Sequence, residues 1–132
     1  MTSNFIKKQK KLYKSLKPCH CPALQEAVHF NATGLNHLLY SRRRPRKLTE
    51  QHYRANLITY ITEVITSATQ AVKALKSQDP LIVTWSLQHE VRDSNNLKQV
   101  IKVILMKKGA GNIYFLSAMQ KKNSKETKKP RG

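Results

Sequence analysis

Two apolar segments, QVIKVILMK at 99–107 and IYFLSAM at 113–119, flank the turn signal KGAGN at 108–112. Runs of β-branched and aromatic residues on either side of a short Gly-rich stretch predict a β-hairpin. Each run is apolar at odd and even positions alike, so both strands need cover on both faces and belong in the interior of a sheet.

The rest of the chain is arranged around that hairpin. LIVTWSLQHEV at 81–91 alternates, with Leu81, Val83, Trp85, Leu87, His89 and Val91 on one face, which predicts a strand. Upstream, Tyr53, Leu57, Ile61, Val64, Ile65 and Ala68 recur at steps of three and four, predicting the main helix over about 48–70 with Thr49 as its N-cap. EAVHFN at 26–31 is a short β-type run. ATGLNHLLYS follows it, with Leu35, Leu38 and Leu39 at helical spacing, and predicts a short helix to Ser41. Helices first and antiparallel strands afterwards define an α+β fold: N-terminal helices packed on a C-terminal antiparallel β-sheet of three to four strands that ends in the hairpin.

Charge divides the chain. Its 132 residues hold 25 Lys and Arg against 7 Asp and Glu, a net charge of +18. Such an excess repels itself unless a polyanion is near, and nucleic acid is the leading partner class. Residues 1–17 hold six Lys and no acid; residues 120–132 hold five Lys and one Arg against Glu126. These ends read as a basic arm (1–17) and a disordered basic tail (121–132) around one domain at 18–120. Within the arm, Phe5, Ile6, Leu12, Tyr13 and Leu16 can form an amphipathic helix that Pro18 ends. Most of the charge left in the middle sits in SRRRPRK, where Arg42, Arg43, Arg44, Arg46 and Lys47 form a phosphate-binding candidate.

The chain has no apolar window of membrane-spanning length and no signal-peptide run at its start, so a cytoplasmic setting is expected. Cys19-His20-Cys21 offers two thiols and an imidazole but no second pair at zinc-finger spacing, so no metal or other cofactor is expected. The seven carboxylates show no spacing for a two-metal site. RNA cleavage without metal needs less: the 2′-OH is the nucleophile, and a proton acceptor with nearby cations suffices. His37, one turn before the arginine cluster, is the candidate base or acid. It is equally a polar residue on the open side of a short helix. His29 reads as structural, and His52 faces either the same cleft or solvent.

The hairpin adds a geometric expectation. A two-residue loop at Gly109 and Ala110, or a four-residue loop at 108–111, pairs Lys102 with Ser117; a three-residue loop displaces the pairing by one. Lys102 then stands among Val100, Ile104, Phe115 and Met119, an expensive place for an ammonium unless it has a task or is an edge residue.

The succession HFNATGLNHLLY, a basic loop, a long helix with Arg54, a Trp-bearing strand and VIKVILMKKGAGNIYFLSAM resembles the phage and toxin branch of the barnase/EndoU/colicin/RelE-like ribonucleases, over residues 19–120. The resemblance implies His37, Lys102, Ser117 and Arg54 as an RNA-cleaving set, with Arg42 to Arg44 beside it. It also implies a cognate immunity or antitoxin protein as a partner beside RNA. Two functions stand: a metal-independent endoribonuclease acting by 2′-OH attack, and a non-catalytic RNA-binding or ribosome-associated basic module in which Tyr53, Trp85, Tyr114 and Phe115 offer stacking surfaces.

Overall fold

The computed structural model describes residues 4–41, 44–45, 47–74 and 79–121. Among the described residues the order is α1 (Asn4–Ser15), β1 (Cys19–Cys21), β2 (Glu26–His29), α2 (Ala32–Leu39), β3 (Tyr40–Ser41), β4 (Arg44–Pro45), α3 (Leu48–Ser67), β5 (Ala71–Lys73), β6 (Ile82–Arg92), β7 (Lys98–Lys108) and β8 (Ile113–Lys121). The fold is α+β. Its main sheet has six strands in the order β1-β2-β8-β7-β6-β5, and β3 pairs with β4 in a separate two-stranded ribbon.

The sheet is thus larger than the three to four strands expected, and it is not purely C-terminal or purely antiparallel. The hairpin of β1 and β2 joins at the β8 edge, and β2 runs parallel to β8 through Val28↔Ile113 and His29↔Tyr114. The three-residue Cys19–Cys21 is too short to show a period of two, which is why its pattern carried no strand signal.

All three helices lie against one face of this sheet. Register assigns Val83, Trp85, Leu87, His89 and Val91 of β6 to that face, opposite Lys107, Leu105, Val103, Ile101 and Gln99 of β7. On β8 the same face carries Ile113, Phe115, Ala118 and Gln120. Its apolar side chains join Leu35, Leu38 and Leu39 of α2 and Leu57, Ile58, Ile61, Val64 and Ile65 of α3 in a single core.

α1 belongs to that core rather than to a solvated arm. Ile6, Gln9 and Tyr13, spaced for one side of a helix, are all buried. The Gln9 amide donates to Ala55 O at 2.8 Å and to Thr59 Oγ1 at 3.2 Å, fixing α1 across α3. Phe5 stacks on His52, with ring centroids 5.3 Å apart. The Tyr13 hydroxyl donates to Asn31 O at 2.6 Å, its ring sits among Phe30 and Phe115, and burial pushes its pKa up to about 12. Charge dominates the composition of residues 1–17, but the apolar stripe decides their packing. The basic tail from residue 122 lies outside the described residues.

Local chemistry sets the element ends. Asn31 caps α2, its side-chain oxygen accepting from Gly34 N at 3.3 Å. Lys47, not Thr49, occupies the N-cap of α3 and contributes no side-chain cap bond. Gly34 lets α2 approach β8 closely: a Cβ there would lie 2.5 Å from Phe115 O and 2.7 Å from the Tyr13 hydroxyl. Between β6 and β7, Asp93 Oδ1 accepts from Leu97 N and Asn95 N, and Oδ2 accepts from the Gln99 amide. The Leu97 bond first and the Gln99 bond second hold this carboxyl below the usual range.

Candidate nucleic-acid interface

Among the described residues, no helix packs on the second face of the sheet. On it stand Ile82, Thr84, Ser86, Gln88, Glu90 and Arg92 of β6, and Lys98, Val100, Lys102, Ile104, Met106 and Lys108 of β7. β8 contributes Tyr114, Ser117, Met119 and Lys121, and β2 contributes His29. The two ends of this face differ. Arg92, Lys98, Lys102 and Lys121 gather where β6 and β8 end and β7 begins. The other end carries Ile82, Met106 and Tyr114, with the His29 ring 6.1 Å from that of Tyr114.

Glu90 is the only carboxylate that register assigns to the face among the described residues, and it lies 3.8 Å from Lys98. Lys121 Nζ donates to Gln88 Oε1 at 3.3 Å and the Arg92 guanidinium donates to Asn96 O at 3.0 Å, both neutral acceptors. Lys102 is half-buried between Val100 and Ile104 along β7, with Met119 opposite, and has no carboxylate in ion-pair range among the described residues. An ammonium in such a setting is costly without an anion.

The register of the hairpin corrects the expected pair. Lys107 pairs with Ile113, leaving five residues, 108–112, in the connection, and Gly109 takes a φ of 57° there. Between Ile104 and Leu105 the register then shifts, inserting Leu116 as a bulge. Lys102 therefore lies opposite Met119, and Ser117 opposite Ile104. The two share a face as diagonal neighbours, not as a pair.

His37 does not join them. Gly34, Leu35, Leu38 and Leu39 turn α2 onto the covered face, and His37 is exposed on the outer side of that helix. The sheet itself separates His37 from Lys102 and Ser117, so one phosphate cannot reach all three. The convergent set is corrected on this point: α2 packs against the face that Lys102 leaves.

Arg54 has other employment. Past β2, the outer edge of β8 has no strand neighbour among the described residues, and α3 supplies partners there. Arg54 Nη1 donates to Ala118 O at 3.1 Å, while Gln120 N donates to the Tyr53 hydroxyl at 3.1 Å. Two alternate residues of β8 are thereby sealed along one edge. Arg54 also pairs with Glu50 at 3.1 Å, and its side chain is 15% exposed. It secures a helix to a strand edge on the covered side.

Of the basic cluster, Lys47 is exposed at the start of α3, and Arg44 enters the β3–β4 ribbon opposite Ser41. Arg42, Arg43 and Arg46 lie outside the described residues. Among the suggested stacking residues, Phe115 is fully buried and Trp85 packs on the core, so Tyr114 alone is presented by the open face.

Cys19 and Cys21 share one side of β1 while His20 takes the other, and among the described residues no three His, Cys, Asp or Glu side chains are grouped to hold a metal ion. Burial, then the neighbouring Cys21, pushes the Cys19 thiol up, away from thiolate reactivity. No helix among the described residues is long and apolar enough to cross a membrane. No protein-family model, curated protein or solved structure matches the chain.

Proposed function

We propose that the protein binds RNA through the open face of its sheet, as a non-catalytic module. The observation that carries this reading is Lys102: a half-buried ammonium that, among the described residues, has no carboxylate partner, on a face with Arg92, Lys98, Lys108 and Lys121 and, among those residues, a single acid, Glu90. Phosphates suit the cationic end. Unpaired bases suit the end with Tyr114, His29 and Met106, since every base has a face that stacks on an aromatic ring.

Lys102→Met tests the reading. RNA affinity should fall and the slope of log K against log salt should lose about 0.7, the share of one single-strand phosphate contact. Melting should stay unchanged or rise, because the substitution removes an uncompensated charge from apolar neighbours. Unchanged RNA affinity would place the interface elsewhere.

A second reading, metal-independent RNA cleavage, is supported by the resemblance to the barnase/EndoU/colicin/RelE-like nucleases and by one observation: Lys102, Ser117 and the imidazole of His29 share the open face. In this form His29, not His37, would exchange the proton. Incubation with labelled RNA in EDTA distinguishes the two readings. New 2′,3′-cyclic phosphate ends, abolished by His29→Ala, favour cleavage; intact RNA leaves the binding module.

A further inference from the structure

We infer that the protein has a second polyanion-binding surface, on α1, and that it bridges two nucleic-acid strands, one on each side of the molecule. The inference rests on the reading of the open sheet face as an RNA site.

α1 carries five lysines, Lys7, Lys8, Lys10, Lys11 and Lys14, and no acid. Its inner side is spent on Ile6, Gln9 and Tyr13, which dock on α3 and the core. Lys7, Lys11 and Lys14, at i, i+4 and i+7, therefore form an exposed row on the outer side, with Lys8 beside it. The row spans about 10 Å at 1.5 Å per residue, enough to meet more than one phosphate of a strand.

Several of these lysines are like-charge neighbours three or four residues apart, an arrangement that weakens a helix on its own. No acid in the first turn and no carboxylate ion-paired to these lysines among the described residues offsets it. An external row of anions does. Ammonium groups act as point charges without the planar fork that selects a particular anion geometry, so recognition here is of phosphate backbone and indifferent to sequence.

A membrane surface is a poorer fit. An amphipathic helix that lies on a bilayer inserts its apolar side, and that side of α1 is already occupied by α3. The position of α1 gives the bridging geometry. α1 packs on α3 and on Phe115 from the covered side of the sheet, and the open face looks the other way. A strand on α1 and a strand on the sheet are held apart by the whole thickness of the fold, so one short strand cannot satisfy both surfaces.

The test uses one short single-stranded RNA fixed on beads and a second, labelled and non-complementary, with the full chain at a concentration where sedimentation finds a monomer. The wild-type protein should retain the labelled strand on the beads. In Lys7→Gln/Lys8→Gln/Lys11→Gln/Lys14→Gln retention should fall about tenfold or more, while anisotropy finds one RNA bound within about threefold of wild type, because the phosphate contacts of the open face remain. Retention unchanged in that variant overturns the inference. So does retention that tracks a dimer in sedimentation, or lysine-dependent binding to phosphatidylserine vesicles without RNA bridging. A wild-type protein that binds no RNA overturns the reading of the open face instead. A variant that loses all RNA binding would make α1 the sole interface and overturn both.

Discussion

The covered and open faces of the sheet come from the same three long strands, and successive residues of β7 alternate between them. Ile101, Val103 and Leu105 are fully buried, while Val100, Lys102, Ile104 and Met106 are only partly so. The covered face is closed by three helices and locked by polar contacts that satisfy strand edges and helix ends. Gln51 reaches Leu39 O at 3.1 Å, Arg54 reaches Ala118 O, and Tyr53 accepts from Gln120 N. Among the described residues, the open face has apolar side chains of similar kind but no cover, and its cations exceed its acids. The difference teaches that apolarity on both sides of a strand does not imply burial on both sides: the described helices bury one face, and the other stays partly exposed.

The sharpest way to break this comparison is a pair of truncations on the two faces. Phe115→Ala, on the covered face, should cost about 3–5 kcal/mol in urea denaturation, since it empties the fully buried centre of the core. Ile104→Ala, on the open face, should cost roughly 1 kcal/mol, about half the transfer value of a fully buried side chain. Equal costs would mean that something covers the open face in solution.

Gly34→Ala sharpens the boundary between α2 and β8. The new methyl meets Phe115 O, a backbone atom that cannot swing aside, so destabilisation of about 1–3 kcal/mol is expected although alanine favours helix. A neutral or stabilising result would show that α2 sits less closely on the covered face.

The smallest effect is expected at alkaline pH, through Tyr13. Folding raises its pKa from 10.0 to about 12, so the unfolded chain loses the proton first. The contribution is complete below about pH 10 and lost as pH rises towards about 12. Denaturation midpoints measured across that window should fall less steeply in Tyr13→Phe than in wild type; parallel slopes would detach Tyr13 from the covered face.

Much of the fold is legible before any coordinates. The periodicity of Tyr53 to Ala68 marks α3, the alternation of 81–91 marks β6, and the Gly-rich turn marks the hairpin. The shortest elements are less legible: 26–31 reads as a β-type run, but β1 is too brief to show a period, and that β2 runs parallel to β8 depends on residues far apart in the chain. The candidate site was legible in part. That Lys102 and Ser117 share a face follows from the hairpin; that they are diagonal depends on an odd-length connection and a bulge at Leu116, which local sequence leaves open. Arg54 carried the chemistry of a phosphate ligand, yet the bare edge of β8 claims it.

Composition and period by themselves determined three things: an α+β chain, a hairpin inside its sheet, and a strongly basic charge balance. These are local or additive properties, summed over residues without regard to distant neighbours. Tertiary structure alone decided which face the helices cover, and with it that His37 and Lys102 stand on opposite sides and that the lysines of α1 are turned outward from a buried stripe. Such facts depend on contacts between residues far apart in the chain, where an inserted residue or a strand edge in need of a donor redirects a side chain whose type is unchanged.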